Sequence, residues 1–305
     1  MLWQKRKPIK LPRPYCFPGL ELWQEGNLYL FETSSPSLTR IYKKLARILN
    51  SHAPILLCGE SGCGKIVIAQ ALHHAGPAGP RALLLVNCDG TTETQFTQAF
   101  AHALNEAKNA AHTNGKNSVR QHAPASVTVI LRNVLALAPE LQHCVLRLLQ
   151  EKATHISAPE AAQVRLIATT TKTPAPAVKQ GHFRQDLYYR LSTYEFELPP
   201  LRERMEDLSA FIAHFSAKAA RQNGGHQLAF SANASATLQA HTWPGNLAES
   251  EDTLLRAHKA NSGRNATIEH LDLAPAELRH HAATRPANLD QALFTPERVL
   301  EISSA

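Results

Sequence analysis

The segment Gly59-Glu60-Ser61-Gly62-Cys63-Gly64-Lys65 has the residue types and spacing of a loop that holds phosphate. The pattern G-x-x-x-x-G-K carries that meaning when a buried strand precedes it and a helix follows. Here the apolar run Ile55-Leu56-Leu57-Cys58 leads in, and helical spacing continues from Lys65 to His74. Glycines let the backbone wrap until its N–H groups point at phosphate oxygens. The helix N-terminus adds a favourable dipole, and Lys65 adds a point charge for β and γ phosphates. ATP or ADP is therefore the expected ligand, the alternative being a loop that persists only as a folded turn. The next position is normally Ser or Thr, whose hydroxyl ligates magnesium. Ile66 has no such group, so Mg2+ is not expected to be held there.

Alternating elements must position this loop. Strands are expected at Ile55–Cys58, Ala82–Asn87, Val127–Leu131 and Val164–Thr170, with helices over Lys65–His74, about 93–111 and Pro139–Glu151. Such βαβ alternation gives a parallel sheet with helices on both faces. Upstream, Ser34-Ser35-Pro36-Ser37 starts a helix that places Leu38, Ile41, Tyr42, Leu45, Ile48 and Leu49 at helical spacing. Residues 1–33 read as an irregular arm with one short strand at Asn27–Phe31, and Ala111–Pro124 as an exposed loop. From about 205 onward helical patterns remain, at Asp207–Gln222, Ala232–Ala240 and Asn246–Ala260, forming a small all-helical second unit. The expected division is 1–33 arm, 34–204 α/β nucleotide-binding domain, 205–277 helical lid and 278–305 tail. Within that tail, Thr295-Pro296-Glu297-Arg298-Val299-Leu300 has the pattern of a helix start.

Several segments, in order, resemble one family. They are GESGCGK itself, Val86-Asn87-Cys88, Pro139-Glu140-Leu141-Gln142 through Leu149-Gln150-Glu151, Val164 to Thr170, Phe183-Arg184-Gln185-Asp186-Leu187-Tyr188-Tyr189-Arg190-Leu191, Leu198-Pro199-Pro200-Leu201-Arg202-Glu203-Arg204 and Trp243-Pro244-Gly245-Asn246. On these the chain is identified as a degenerate member of the sigma-54 interaction (AAA+) domain family of bacterial enhancer-binding proteins, over about residues 34–260. The resemblance implies an AAA+ α/β domain with a helical lid, assembly into rings, ATP binding, and action on sigma-54 RNA polymerase.

Measured against that family, the catalytic set is broken. Where relatives end the third strand in Asp-Glu, for magnesium and for polarising water, this chain has Arg132 and Asn133. An activating base contributes typically about 10²–10⁴-fold, and asparagine cannot accept the proton. A guanidinium about 4 Å from Mg2+ would meet repulsion of roughly 8 kcal/mol at an effective dielectric near 20. Two readings of Arg132 stand open: it replaces the metal at the phosphates, or it points to solvent or a carboxylate. Ile66 departs even from the family's usual glutamate. The polar sensor asparagine falls at Thr171, and the sensing arginine of the lid falls at Ala248. Arg184 and Arg190, by contrast, match the arginines that relatives present to a neighbouring subunit's nucleotide. Their alternative is local pairing with Asp186 and Glu195. No GAFTGA loop for sigma-54 occurs between Phe96 and Gly115, and the tail holds no helix-turn-helix, so direct DNA binding is not expected.

Composition narrows the remaining classes. Apolar content of 44% is that of a globular chain, and its longest apolar runs fall far short of a membrane span. The basic, proline-rich start lacks the apolar core of a secretory signal, so a cytoplasmic location is expected. Five cysteines without C-x-x-C spacing read as reduced thiols, and the sixteen histidines form no metal-ligand spacing. The net charge of +7 is scattered, with no basic run beyond Lys5-Arg6-Lys7, and supports nucleic-acid contact weakly. The leading expectation is a nucleotide-binding regulatory subunit of an AAA+ ring, partnered by itself or an active relative, that hydrolyses ATP poorly or not at all. RNA polymerase or a sigma factor is a further partner on this reading. The alternatives are an active ATP-hydrolysing activator and an eroded paralogue.

Overall fold

A computed structural model describes residues 22–25, 28–31, 33–76, 81–113, 126–154, 163–222, 229–260, 267–268 and 299–302. Its centre is a parallel sheet built from β3 (Ile55–Cys58), β4 (Arg81–Asn87), β5 (Ser126–Arg132), β6 (Gln163–Thr170) and β7 (Tyr194–Glu197). With β10 (Val299–Ile302), it is six-stranded in the order β10-β4-β5-β6-β3-β7. The strands are short apolar runs because helices cover both faces of the sheet. Ile55, Leu57, Leu83, Leu85, Ile130 and Ile167 pack on one side against α1 (Pro36–Arg47) and α2 (Lys65–Ala75). On the other, Leu56, Val129, Leu131 and Leu166 pack against α3 (Glu93–Thr113), α4 (Pro139–Thr154) and α6 (Gln185–Leu191), which follows the short α5 (Pro174–Lys179).

Two polar cross-braces fix α2, the helix behind the phosphate loop. His73 Nδ1 lies 2.8 Å from Thr128 Oγ1 on β5, and Arg165 Nη1 on β6 donates to the Leu72 carbonyl at 3.0 Å. Buried polar groups hold their places only when bonded, so these contacts set the angle at which α2 leaves the loop.

The second unit is helical, as expected: α7 (Leu208–Gln222), α8 (Ala232–Ala240) and α9 (Asn246–Ala260), with α7 packed on α9. Phe211, Phe215, Leu238, Trp243 and Leu254 form its core with Leu201. It also contains a two-residue parallel ladder, β8 (Ala229–Phe230) with β9 (Thr267–Ile268), that the helical patterning did not reveal.

Other elements differ from the sequence reading. The arm is not irregular throughout: β1 (Leu22–Glu25) pairs antiparallel with β2 (Leu28–Phe31). Helix α3 runs to Thr113, two residues past the expected loop start, and residues 114–125 lie outside the described set. Val299 and Leu300 belong to a strand rather than a helix, because pairing along β4 supplies backbone partners that a lone turn lacks. Residues 1–21 and 269–298 lie outside the described residues.

Candidate functional site

The loop between β3 and α2 sits at the carboxyl ends of the parallel strands, where crevices in such sheets bind ligands. Its carbonyls are all taken. Gly59 O and Glu60 O each accept from Lys65 Nζ at 2.6 Å, Ser61 O accepts from Asn246 Nδ2 at 2.9 Å, and Gly62 O accepts from Leu247 N at 3.0 Å. Cys63 O accepts from Arg204 Nη2 at 2.8 Å, and Gly64 O from Ile68 N at 3.1 Å. Turning every carbonyl toward a donor leaves the N–H groups on the other side. Those of Gly62, Gly64, Lys65 and Ile66 meet no acceptor among the described residues. A concave run of N–H groups at a helix N-terminus has the character of an anion cradle.

Three of those donors come from the chain beyond residue 200. Asn246, fully buried with φ 54°, accepts from Leu201 N at 2.7 Å through Oδ1 while its amide reaches Ser61 O and Glu60 Oε2, the latter at 3.2 Å. Arg202 grips Glu60 through two bonds of 2.8 and 2.7 Å. Gly62 (φ +74°) has no room for a side chain, since a Cβ there would lie 2.2 Å from the Gly245 carbonyl. The lid thus rests directly on the loop. The LPPLRER and WPGN segments thus supply Arg202, Arg204 and Asn246, whose roles at the loop no local sequence signal reveals.

Electrostatics follow from this packing. Burial holds the Lys65 ammonium below the usual lysine range, and the Arg132 guanidinium pushes the same way. Hydrogen bonds from Arg202 hold the Glu60 carboxyl below the usual carboxylate range. Burial and the neighbouring Glu195 push the Cys58 thiol up to about 12, and Cys58 Sγ donates to Glu195 Oε1 at 3.5 Å. Cys58 is a proton donor here, not a nucleophile.

The other sequence-derived positions divide. Ile66 packs against the apolar cluster under α2. Ala248 does stand at the loop, its Cβ 3.0 Å from where one on Gly62 would be, but it offers a methyl group only. Arg132 ends β5, its carbonyl accepting from Cys88 N at 2.9 Å, and Asn133 follows with φ 56°, its N–H directed at Thr169 Oγ1 at 3.4 Å. Asparagine tolerates that left-handed backbone. Thr171 is exposed after β6, and Thr170 Oγ1 instead caps the turn through Lys172. Arg184 makes a two-bond pair with Asp186, at 3.0 and 2.7 Å, beside a shallow depression it lines with Gln185 and Tyr189. Arg190 is exposed, and its side chain has no partner among the described residues, while Glu195 is engaged by Tyr188 and Cys58.

Magnesium does not fit this donor set. Ile66, Arg132 and Asn133 offer one neutral amide and one cation where oxygen ligands are required. Among the described residues no group of three His, Cys, Asp or Glu side chains gathers to hold a metal ion. Nor is any helix there long and apolar enough to cross a membrane.

Comparison with known proteins agrees with this architecture. A family model described as the sigma-54 interaction domain matches residues 31–197, and one described as an AAA+ ATPase lid domain matches 202–289. The chain is 34% identical over 248 residues to the regulatory protein AtoC of Escherichia coli, covering 79% of this chain and 52% of that one. It is 33% identical over 228 residues to the nitrogen fixation protein AnfA of Azotobacter vinelandii, covering 73% and 42%. The chain therefore spans about half the length of the curated relatives it matches. Among solved structures, NtrX from Brucella abortus in complex with ADP superposes with a TM-score of 0.63 at 26% identity, over 85% of this chain and 59% of that one. The same protein in complex with ATP gives 0.63 at 25%, over 86% and 59%.

Proposed function

The chain belongs to the sigma-54 interaction domain family of AAA+ proteins, and from that premise we propose that it is a nucleotide-binding regulatory subunit acting in transcription control, holding ATP or ADP with little or no turnover. One observation carries the reading. The phosphate cradle of Gly59–Lys65 is built and braced, while four positions that act in hydrolysis or its sensing in relatives hold residues without the usual group: Ile66, Arg132, Asn133 and Ala248. The ADP and ATP complexes of NtrX support the choice of ligand.

In this reading residues 34–204 hold the nucleotide and 205–277 form the lid. The N–H groups of Gly62, Gly64, Lys65 and Ile66 bind the phosphates, and Lys65 exchanges two loop carbonyls for phosphate oxygens. Partners are other AAA+ subunits, either copies of this chain or an active relative. The exposed Arg190 reaches toward a neighbour's nucleotide, and Arg184 joins it only by leaving Asp186. RNA polymerase or a sigma factor is the downstream target. The cytoplasm is the proposed location.

The test is equilibrium binding of ATP and ADP to the purified chain, alongside a phosphate-release assay and a measurement of assembly size with and without nucleotide. Binding with no release above background is expected. Release at rates ordinary for an AAA+ motor would overturn the inactive reading.

A further inference from the structure

We propose that α1 carries a contact surface for the phosphate backbone of duplex DNA, held by charge and without regard to base sequence. Arg40, Lys43, Lys44 and Arg47 are all exposed on this helix. Spacings of three, four and seven residues from Arg40 put them on one stripe that runs about 10 Å along the axis. The opposite side, with Leu38, Tyr42 and Leu45, is buried in the core, so the stripe rides on a packed helix. No local charge offsets it. From Thr33 to Gly59 the chain has no Asp or Glu, and none of the four cations has a partner among the described residues. Asp207, which meets the chain just ahead of α1, is buried and engaged by Thr33 Oγ1 and Ser34 N at 2.6 and 2.7 Å.

The helix itself does not need this stripe. Lys44 and Arg47 lie in its last turn and suit the helix dipole, but Arg40 and Lys43 lie too far back to share that benefit. Arg40 stands three and four residues before Lys43 and Lys44, and Arg47 four and three after them, spacings at which like charges destabilise a helix. The kind of partner follows from what the face lacks. Apart from Pro36 and Ser37 at its start, these four are the exposed residues of α1. It therefore offers a protein partner no aromatic or aliphatic anchor, and single-stranded bases no stacking platform. Its apolar side is buried in the core, so it cannot sink into a lipid surface. A duplex needs none of these. Over both strands it presents one phosphate per about 1.7 Å of axis, and a row of cations displaces its counterions. Such contacts hold the backbone without reading bases, so no helix-turn-helix is required. The net charge of +7 favours the same approach.

The experiment titrates the full chain, without nucleotide, against short labelled duplexes of two unrelated sequences, reading fluorescence anisotropy over a range of salt. Equal affinity for both sequences is expected, falling about 10²-fold between about 50 and 200 mM salt, as four phosphate contacts require. Two doubly substituted chains lose the same net charge: Lys43→Gln with Lys44→Gln on α1, and Lys172→Gln with Lys179→Gln, both exposed elsewhere. The α1 pair should bind more weakly and fall only about tenfold over that range, because two contacts remain. The other pair should behave as the wild type. Lys43→Arg with Lys44→Arg should also match the wild type, and thermal unfolding checks that every variant folds. No binding at the lowest salt would overturn the inference. So would an unchanged salt dependence in the folded Lys43→Gln, Lys44→Gln chain, or an equal loss in the Lys172 and Lys179 pair. Binding of polyglutamate as tight as that of the duplex at the same salt would assign the face to an acidic protein and overturn it as well.

Discussion

Replacing Asn246 by alanine tests the claim that the lid shapes the phosphate loop. The side chain is fully buried and makes three contacts, accepting from Leu201 N at 2.7 Å and donating to Ser61 O and Glu60 at 2.9 and 3.2 Å. Truncation leaves the buried Leu201 N–H without an acceptor, at about 1–3 kcal/mol, and removes the donor from Ser61 O, at about 1 kcal/mol. Alanine must also adopt the left-handed backbone at φ 54°, which costs about 1–2 kcal/mol more. The total is about 3–6 kcal/mol, a large fraction of the stability of a small domain. Asn246→Gly shares the lost contacts but not the backbone strain, so it should recover about 1–2 kcal/mol. Asn246→Asp keeps the acceptor for Leu201 yet sets a carboxylate against Glu60 and the Ser61 carbonyl, and should be no better than alanine at pH 7. Urea unfolding followed by the fluorescence of buried Trp243 and by far-UV circular dichroism reads these differences. If the alanine and glycine variants both stay within about 0.5 kcal/mol of the wild type, the lid is not what holds the loop.

Three further outcomes follow from the same geometry. Gly62→Ala, whose Cβ would lie 2.2 Å from the Gly245 carbonyl at φ +74°, should displace the lid, abolish nucleotide binding and cost more than about 2 kcal/mol, read by thermal unfolding and calorimetry. Glu60→Gln should destabilise by at most about 1 kcal/mol at pH 7, because the pair with Arg202 is two-fifths exposed. The folded carboxyl lies below its unfolded value, so its contribution is present above the ordinary glutamate range and lost as pH falls through the folded value. The gap between wild type and variant in urea titrations should therefore narrow from pH 7 to below about pH 4. Arg184→Ala and Arg190→Ala, both on an exposed face, should each leave thermal stability within about 0.5 kcal/mol and nucleotide affinity of the isolated chain unchanged. Their effect belongs to mixtures, where the rate of an active relative's phosphate release is the readout.

Much of this was legible in the residues, and the exceptions have physical causes. β3, β4, β5 and β6 were readable because a sheet covered on both faces needs unbroken apolar runs, as in Leu83-Leu84-Leu85-Val86. β7 was missed because Tyr194-Glu195-Phe196-Glu197 alternates and is short, and its partner β3 lies far off in sequence. The loop's pattern pointed to phosphate, yet nothing local said that Lys65 would bond to its own carbonyls, which compete for the ammonium. Arg202 and Arg204 acquire their roles from partners more than 140 residues away. α1 carries a basic face that no run of charge marks: Arg40, Lys43, Lys44 and Arg47 are all exposed at helical spacing on the side away from Leu38, Tyr42 and Leu45. Cations three and four residues apart form a face without ever forming a run.

The bond from Asn246 to Ser61 spans 185 residues, and this sets an order on the life of the chain. A ribosome adding about 5–20 residues per second delivers the loop roughly 10–40 s before the residue that fixes its carbonyls. During that interval β3, the loop and α2 exist without the contacts that turn their N–H groups outward. On the proposed nucleotide-binding reading, the nascent first domain is expected to stay blind to nucleotide until the turn at Trp243–Asn246 has left the exit tunnel and docked. A chain cut short before that turn is expected to be an empty fold rather than a weaker binder.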